Sequence, residues 1–208
     1  MKRGLFITFE GIDGCGKSTH IQLLSEWFTD RGADVLVLRE PGGTAAGESI
    51  REILLDRREL SINSRTELLL FLAARAQICE ERILPALEAG TSVICDRFSD
   101  STLAYQGYGR GLDIEMIRQF NAFACRRLKP DVTLFLDLPR EEAEKRLAAR
   151  LSGRNRMDDE NAQFMKRVQE GFEAIAAEEA ARVFRVDSRG TKEETQARIR
   201  EIIRRFIP

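Results

Sequence analysis

The sequence predicts an α/β fold in which a five-stranded parallel sheet is covered by helices on both faces. Short, continuous apolar segments alternate with longer amphipathic segments along the whole chain. The 208 residues are enough for one domain with a sizeable core, and no repeat, low-complexity tract or Pro/Ser-rich linker divides them. We therefore expect a single domain that covers residues 1–208.

Short apolar runs bounded by polar residues have the composition of buried strands. They are Leu5–Phe9, Val35–Leu38, Ser92–Cys95, Val132–Leu136 and Val183–Val186. Apolar residues at helical spacing predict helices between the strands. We expect helices near 18–31, 47–56, 65–90, 113–124, 139–150, 164–175 and 192–206, with Pro85 bending or interrupting the third of them and 97–111 forming a loop.

Local signals set some of the helix ends. Ser64 and Glu67 have the spacing of a capping box, which predicts a helix from residue 65. Asp113 is expected to cap the next long helix, whose inner face would carry Ile114, Ile117, Phe120 and Ala124. Pro139 is expected at the first position of a later helix.

Polar clusters follow four of the predicted strands, at residues 11–18, 39–44, 96–102 and 187–192. In parallel sheets of this kind, ligands bind beyond the carboxyl ends of the strands. These clusters therefore predict a single site along one edge of the sheet.

The first cluster has the pattern of a P-loop, Gly11-x4-Gly16-Lys17-Ser18, between a strand and a helix. Glycines allow the backbone N–H groups to converge on phosphates, Lys17 adds positive charge, and the Ser18 hydroxyl can reach Mg²⁺. A Gly-rich turn without a ligand is the alternative. The expected ATP-phosphate site comprises Gly11, Ile12, Asp13, Gly14, Cys15, Gly16, Lys17, Ser18 and Thr19.

Charge and composition exclude several other classes. A net charge of −1 argues against a dedicated nucleic-acid binder. The four cysteines form no C-x-x-C pair and indicate reduced thiols in the cytoplasm, and the single His20 nearly excludes histidine triads or multi-histidine metal sites. Residues 1–10 do not resemble a signal peptide, and no apolar run approaches membrane-spanning length.

Phosphoryl transfer also needs cations beyond Lys17. Arg97 follows Asp96 at the end of the third strand, where its planar fork would bridge donor and acceptor phosphates, while Asp96 would hold Mg²⁺ through water or orient Arg97. A structural Asp–Arg pair is the alternative. A second group, Arg146, Arg150, Arg154 and Arg156, predicts a mobile lid at about 150–160, with a solvated charged turn as the alternative.

P-loops occur in switch GTPases, assembly ATPases and small-molecule kinases. A switch GTPase would usually carry an N-K-x-D motif, which this chain lacks, and an assembly ATPase would usually need additional domains. A small-molecule kinase needs an acceptor pocket. Phe71 and Arg75 share a helix face and supply a stacking plane and a donor for a nucleobase, although a core Phe and a surface Arg would give the same spacing.

At these residues the chain resembles bacterial thymidylate kinases over essentially its whole length. The resemblance rests on F-E-G-I-D-G-C-G-K-S-T at 9–19, R-E-P-G-G-T at 39–44, L-L-L-F-L-A-A-R-A-Q at 68–77, D-R-F-S-D-S-T-L-A-Y-Q-G at 96–107 and the arginine-bearing segment at 150–158. It implies a three-layer, P-loop nucleoside-monophosphate-kinase-like fold. It also implies Mg²⁺-dependent transfer of the ATP γ-phosphate to dTMP. Another (deoxy)nucleoside monophosphate kinase of the same fold, or a P-loop switch, is the alternative.

The resemblance also implies roles for individual residues. Phe71 would stack on thymine and Arg75 would contact a base carbonyl. Thr102, with Ser101, would lie at the thymine N3 edge, and Tyr105 would lie where a 2′-hydroxyl would sit. Asp13 is associated with the sugar 3′-hydroxyl and the metal region, and residues 186–190 lie where relatives hold adenine. Arg39 and Arg97 are expected near the dTMP phosphate.

The P-loop of this chain contains Asp13 and Cys15 but no arginine, so the missing charge is expected from the lid, first from Arg156 and then from Arg150 or Arg154. Relatives often have D-R-x-E where this chain has Asn155-Arg156-Met157-Asp158, and His where it has Ile78, so the choice of lid arginine stays open. By resemblance the protein is expected to be a homodimer.

Overall fold

A parallel sheet forms the centre of the molecule. The structure, a computed structural model, describes residues 3–57, 59–148 and 160–207. Within these ranges five strands pair in the order β2-β3-β1-β4-β5, every neighbour parallel. They are β1 (Phe6–Glu10), β2 (Val35–Arg39), β3 (Ser92–Asp96), β4 (Val132–Asp137) and β5 (Val183–Asp187). The predicted α/β fold is confirmed.

Helices connect the strands. They are α1 (Lys17–Thr29), α2 (Ala45–Arg51), α3 (Ser64–Ile78), α4 (Leu84–Glu88), α5 (Ser99–Thr102), α6 (Ile114–Ala124), α7 (Arg140–Ala148), α8 (Ala162–Glu178) and α9 (Lys192–Ile203). Turns of π-helix follow α2, α3 and α5, at Glu52–Asp56, Cys79–Ile83 and Leu103–Gly109. No helix in the described ranges has the length and apolar composition needed to cross a membrane.

The two faces of the sheet carry separate layers of apolar side chains. Successive residues of a strand point to opposite faces. Ile7 of β1 belongs to one buried cluster with Leu24 of α1, whereas the neighbouring Phe6 belongs to a second cluster with Leu87 of α4. The sheet is therefore buried on both sides, which agrees with the continuous apolar composition of its strands.

The prediction of a loop at 97–111 is wrong for most of these residues. Residues 99–109 form α5 and the π-helical turn after it, and their side chains are largely buried. Gly107 and Gly109 conceal this helix from sequence reasoning because glycine has low helix propensity. Here they let neighbours approach: a Cβ on Gly107 would lie 2.4 Å from Ile114 Cδ1.

The capping box expected at Ser64 is also wrong, because the cap lies one residue earlier. The Asn63 side chain accepts from the backbone N–H groups of Arg65 (3.1 Å) and Thr66 (2.9 Å). Glu67 is buried and accepts instead from Gln106 Nε2 (2.8 Å). The expected cap at Asp113 is confirmed, with Met116 N donating to its Oδ1 at 2.6 Å.

Two further helix expectations need correction. Helix α2 begins at Ala45 rather than near 47, because the Thr44 hydroxyl caps it through Gly47 N at 3.0 Å. The predicted inner-face position of Phe120 on α6 is wrong, because Phe120 is 41% exposed, while Ile117 and Asn121 lie on the buried face. The predicted lid arginines Arg150, Arg154 and Arg156 lie outside the described residues.

Candidate active site

The P-loop joins the end of β1 to the start of α1. Gly11, Gly14 and Gly16 have positive φ angles of 130°, 86° and 101°. A Cβ on Gly14 would lie 2.5 Å from Ala143 O, and one on Gly11 would lie 2.6 Å from Leu136 O. The loop therefore needs glycine for both backbone angle and space.

Lys17 begins α1 and is buried beneath the loop. Its Nζ donates to the carbonyl oxygens of Gly11 and Ile12, both at 3.1 Å, and lies 3.5 Å from Asp13 Oδ1. These carbonyls hold the ammonium at the loop, where an incoming phosphate can replace them as its partner.

Arg97 faces the P-loop from the end of β3. Its guanidinium donates to Gly11 O (2.9 Å), Asp13 Oδ1 (2.8 Å) and Ser101 Oγ (3.1 Å). Burial alone would raise the pKa of Asp13, but Arg97 and then Lys17 outweigh it and hold that pKa well below its usual range. The Asp13 carboxylate is therefore charged and bridges two cations at the mouth of the loop.

A cleft opens over this cluster. The expected site residues that line it are Asp13, Gly14, Gly16, Lys17, Ser18, Arg39, Phe71, Arg75, Asp96, Arg97, Ser101, Thr102 and Tyr105. The structure thus brings together side chains from β2, α3, β3 and the helical segment after it.

Four expected P-loop residues do not line the cleft. The side chains of Ile12 and Cys15 are buried in the core, which leaves only their backbone for a ligand. Gly11 contributes its carbonyl oxygen to Lys17 and Arg97. Thr19 faces a separate groove between α1 and α9.

Arg75 is 1% exposed and forms part of the cleft wall. Its Nε and NH2 groups donate to Glu40 Oε2 at 2.8 and 2.5 Å, and its NH1 group donates to Thr102 Oγ1 and Asn121 Oδ1, both at 2.7 Å. These bonds fix the guanidinium plane. Glu40 Oε1 is buried with no hydrogen-bond partner among the described residues, so one acceptor remains available beside Arg75.

Phe71 lies four residues before Arg75 on the same helix face, as the sequence predicts, and both line the cleft. Tyr105 packs edge-on against Phe172 and accepts a long hydrogen bond, 3.4 Å, from Arg97. Burial raises the pKa of Tyr105 to about 12, so its hydroxyl stays neutral. The cleft therefore has an aromatic wall and a fixed cationic end.

Further cationic groups line the opposite side. Arg39 pairs with Glu48 Oε2 at 2.8 Å and is about half exposed, so it can turn toward a ligand. Arg51, which sequence reasoning missed, donates to Pro41 O at 3.0 Å. Burial and then the nearby Arg39 lower the pKa of Arg51, while Glu48 acts in the opposite direction.

Sequence reasoning also missed Glu40, Pro41, Leu55 and Gln106 as lining residues. Glu40 and Pro41 lie inside the R-E-P-G-G-T motif and Gln106 inside D-R-F-S-D-S-T-L-A-Y-Q-G, so these motifs contained a usable signal. Arg51 and Leu55 belong to no motif, and only their place in the fold identifies them.

The loop after β5 lies against α7. Ser188 O accepts from Arg146 at 3.0 Å, and Ser188 N donates to Asp137 O at 3.0 Å. Arg146, grouped with the lid arginines by sequence, therefore anchors this loop. On the neighbouring helix α1, the buried His20 pairs through Nδ1 with Gln196 Oε1 of α9 at 3.0 Å.

Known proteins resemble this chain over most of its length. A family model described as thymidylate kinase matches residues 9–199. Thymidylate kinase of Desulfovibrio desulfuricans is 47% identical in an alignment that covers 98% of this chain and 96% of that protein. The corresponding protein of Caldanaerobacter subterraneus subsp. tengcongensis is 49% identical over 185 residues, 89% and 88% of the two chains.

A solved structure is similar over nearly the same length. The crystal structure of thymidylate kinase from Ehrlichia chaffeensis superposes with a TM-score of 0.81 at 33% sequence identity. The match covers 97% of this chain and 99% of that chain.

Proposed function

The chain belongs to the thymidylate kinase family and transfers the γ-phosphoryl group of ATP to dTMP, and we propose that this transfer takes place in the cleft between the P-loop and Arg97. The observation that carries this assignment is the 2.8 Å contact between Arg97 and Asp13. This contact joins the phosphate-binding loop to the side of the cleft that is proposed to bind the acceptor nucleotide. Two nucleotides bound on either side of it would have their phosphates facing each other.

The donor phosphates are assigned to the P-loop backbone and Lys17. A bound phosphate would take the Lys17 ammonium from the Gly11 and Ile12 carbonyls, and the first turn of α1 would add its positive end. The loop at 186–190 is the proposed adenine site, held by its bonds to α7 and β4.

The acceptor dTMP is assigned to the aromatic side of the cleft. Phe71 would stack on the base. Arg75 and Thr102 would hydrogen-bond to the polar edge of the base, because the bonds of Arg75 hold its guanidinium in one orientation. Tyr105, nearly buried, would leave no room for a 2′-hydroxyl. The acceptor phosphate would lie near Arg39 and Arg97, beside Ser101.

Mg²⁺ is assigned to Ser18 and Asp96, which line the same cleft. Asp96 Oδ1 is buried and has no hydrogen-bond partner among residues 3–57, 59–148 and 160–207, so a carboxylate oxygen is free to hold a water of a hydrated cation. The described residues contain no cluster of three or more His, Cys, Asp or Glu side chains able to hold a metal. This sparse donor set suits Mg²⁺, which keeps several waters and binds phosphates.

Positioning and charge neutralisation carry the reaction in this proposal. The acceptor is a phosphate monoester that is already largely anionic at neutral pH, so no general base is required. Lys17 and Arg97 supply fixed cations, Asp13 orients them, and a lid arginine completes the set. Arg156 is the first choice for that role, followed by Arg150 and Arg154.

The protein is proposed to be a homodimer in the cytoplasm. Leu69 of α3 is 58% exposed, and Phe120 and Phe123 of the adjacent α6 are 41% and 87% exposed. Large apolar side chains grouped on neighbouring helices are typical of a protein interface.

Phe123→Glu should shift the protein from dimer to monomer in analytical ultracentrifugation. Glu115→Lys, a charge change on the same helix, is the control.

A coupled assay for ADP tests the assignment of the cleft. With ATP and Mg²⁺, dTMP should be strongly preferred over dCMP, dGMP and UMP. Lys17→Ala and Arg97→Ala should each abolish turnover while the circular dichroism spectrum stays unchanged. Near-normal kinetics in either variant would show that the cleft has been assigned wrongly.

A further inference from the structure

Glu10 is a fully buried carboxyl group that has no part in the proposed reaction. It is the last residue of β1, directly before the P-loop, and its side chain is 0% exposed. Oε1 accepts from Phe98 N at 2.8 Å, and Oε2 accepts from Ser101 Oγ at 2.5 Å. Both partners belong to the segment that follows Arg97. The Glu10 side chain therefore connects β1 to the turn that contains Arg97.

Arg97 needs such support because its backbone is left-handed, with φ of 69°. Residues other than glycine avoid this conformation unless surrounding contacts enforce it. The Arg97 N–H donates to Phe9 O of β1 at 2.9 Å, and the next N–H, that of Phe98, donates to Glu10. Adjacent residues of β1 therefore hold the backbone on both sides of the Arg97 Cα.

The Arg97 side chain is guided by the same carboxyl group. Ser101 Oγ, bound to Glu10, also accepts from Arg97 NH1 at 3.1 Å. The guanidinium then reaches Asp13 at 2.8 Å. A continuous series of contacts thus runs from Glu10 through Ser101 and Arg97 to the mouth of the P-loop.

We propose that Glu10 is a positioning residue that fixes both the backbone turn and the guanidinium of Arg97 before substrates bind. This inference rests on the proposed role of Arg97 at the acceptor phosphate. With the turn and the guanidinium already fixed, less reorganisation is needed when the nucleotides meet.

The protonation state of Glu10 suits this role. Burial and the nearby Asp100 raise the pKa of Glu10 to about 8, although Ser101 and Arg97 act in the opposite direction. The carboxyl group is therefore mostly protonated at pH 7. In that state Oε1 still accepts from Phe98 N, and the protonated Oε2 donates to Ser101 Oγ across the same 2.5 Å contact. The carboxyl group orients the turn through hydrogen bonds and leaves the positive charge of Arg97 available for phosphate.

Two substitutions separate positioning from folding. Glu10→Leu removes both hydrogen bonds and places an apolar side chain of similar volume in the buried site. Glu10→Gln keeps polar atoms at both positions and resembles the neutral acid. Steady-state kinetics are measured for dTMP and ATP separately, with the concentration of active sites and the melting temperature determined for each variant.

Glu10→Leu should lower kcat/KM for dTMP by at least about tenfold and leave KM for ATP within about twofold. Glu10→Gln should restore kcat/KM to within about threefold of wild type. Thr8→Val is the matched control: Thr8 is equally buried on β1, but its Oγ1 faces Thr133 Oγ1 at 2.8 Å. It should leave both substrates' kinetics unchanged.

Wild-type kinetics in Glu10→Leu, or a loss that affects both substrates equally and follows the fraction of folded protein, would overturn the positioning role. A loss in Glu10→Gln as large as in Glu10→Leu would also overturn it. If the Leu variant does not fold, Glu10→Met replaces it in the same comparison. Arg97→Ala, measured in parallel, separates the two proposals: an inactive Arg97→Ala beside a fully active Glu10→Leu rejects only the role of Glu10.

Discussion

Arginine occupies left-handed backbone conformations in two regions of this protein. Arg97 has φ of 69° at the end of β3, and Arg126 and Arg127 have φ of 51° and 60° just after α6. The backbone geometry is similar, but the surroundings differ. The Arg97 side chain is largely buried among P-loop groups, whereas Arg126 is exposed and lies 3.3 Å from the exposed Glu80.

The contacts explain why each region tolerates the strain. Arg97 is held by β1 and its guanidinium reaches the cleft in which we propose the phosphoryl transfer, so under that proposal its unfavourable backbone serves a chemical purpose. Arg127 N donates to Ala122 O at 2.7 Å, which closes the end of α6 in the way that glycine usually does. A backbone outlier alone does not identify a functional residue. The contacts that its side chain makes do so.

The largest effect is expected for Arg97→Gly. Glycine accepts the left-handed backbone without strain, which offsets part of the stability lost with the Asp13 ion pair, so the variant should still fold and show a cooperative melting transition. Loss of the guanidinium should lower kcat by about 10³-fold or more. Arg126→Gly is the matched control and should keep full activity. If Arg97→Gly keeps its activity to within tenfold of wild type, Arg97 has no functional role that distinguishes it from Arg126 and Arg127.

Arg75 provides an unstrained arginine for contrast. It is buried against Glu40, and Arg75→Ala would leave that carboxyl group without its partner. Breaking a buried pair in this way should lower the free energy of unfolding by about 3–5 kcal/mol in urea denaturation. The double variant Arg75→Met/Glu40→Met should recover much of this loss. A single variant as stable as wild type would show that the pair contributes little.

Smaller gains are expected at the end of α6. Arg126→Gly and Arg127→Gly should each raise the free energy of unfolding by about 0.5–1 kcal/mol, because relief of left-handed strain exceeds the added entropy of the unfolded chain. Kinetics for both substrates should not change. Arg126→Ala keeps the strain and should give no gain. Equal stability of the Gly and Ala variants would contradict the strain argument.

A pH dependence of stability is also expected from Glu10. In the unfolded chain this carboxyl group loses its proton near its ordinary pKa of 4.5, whereas the folded protein holds it up to about 8. Between these values the folded state binds more protons, so wild type should lose stability as pH rises through this window. Glu10→Gln lacks this loss. The melting temperature of Glu10→Gln minus that of wild type should therefore increase from pH 5 to pH 8. A difference that does not change with pH would contradict the raised pKa of Glu10.

Much of the sheet and the P-loop could be predicted from the sequence. Each strand is a short apolar run, and Gly11, Gly16 and Lys17 form a local motif whose conformation depends on few distant contacts. Motif order also identified Phe71 and Arg75 as residues of one pocket.

Other features depend on contacts between distant parts of the chain. Arg75 meets Glu40 and Asn121, which lie 35 and 46 residues away, and no local pattern records those pairs. The helical segment at 99–109 is stabilised by burial against α8, which overrides the weak helix propensity of its glycines. At Asn63 two adjacent capping residues compete, and the sequence pattern favoured the wrong one.

The pairing of His20 with Gln196 gives this enzyme a built-in spectroscopic probe. The chain contains one histidine, so a proton NMR spectrum should show a single set of imidazole signals without isotope labelling. Its ring approaches the P-loop closely enough that a Cβ on Gly16 would lie 3.4 Å from Cδ2. Because burial lowers the pKa of His20, the ring stays neutral near pH 7, and its chemical shift will report nucleotide occupancy rather than acidity.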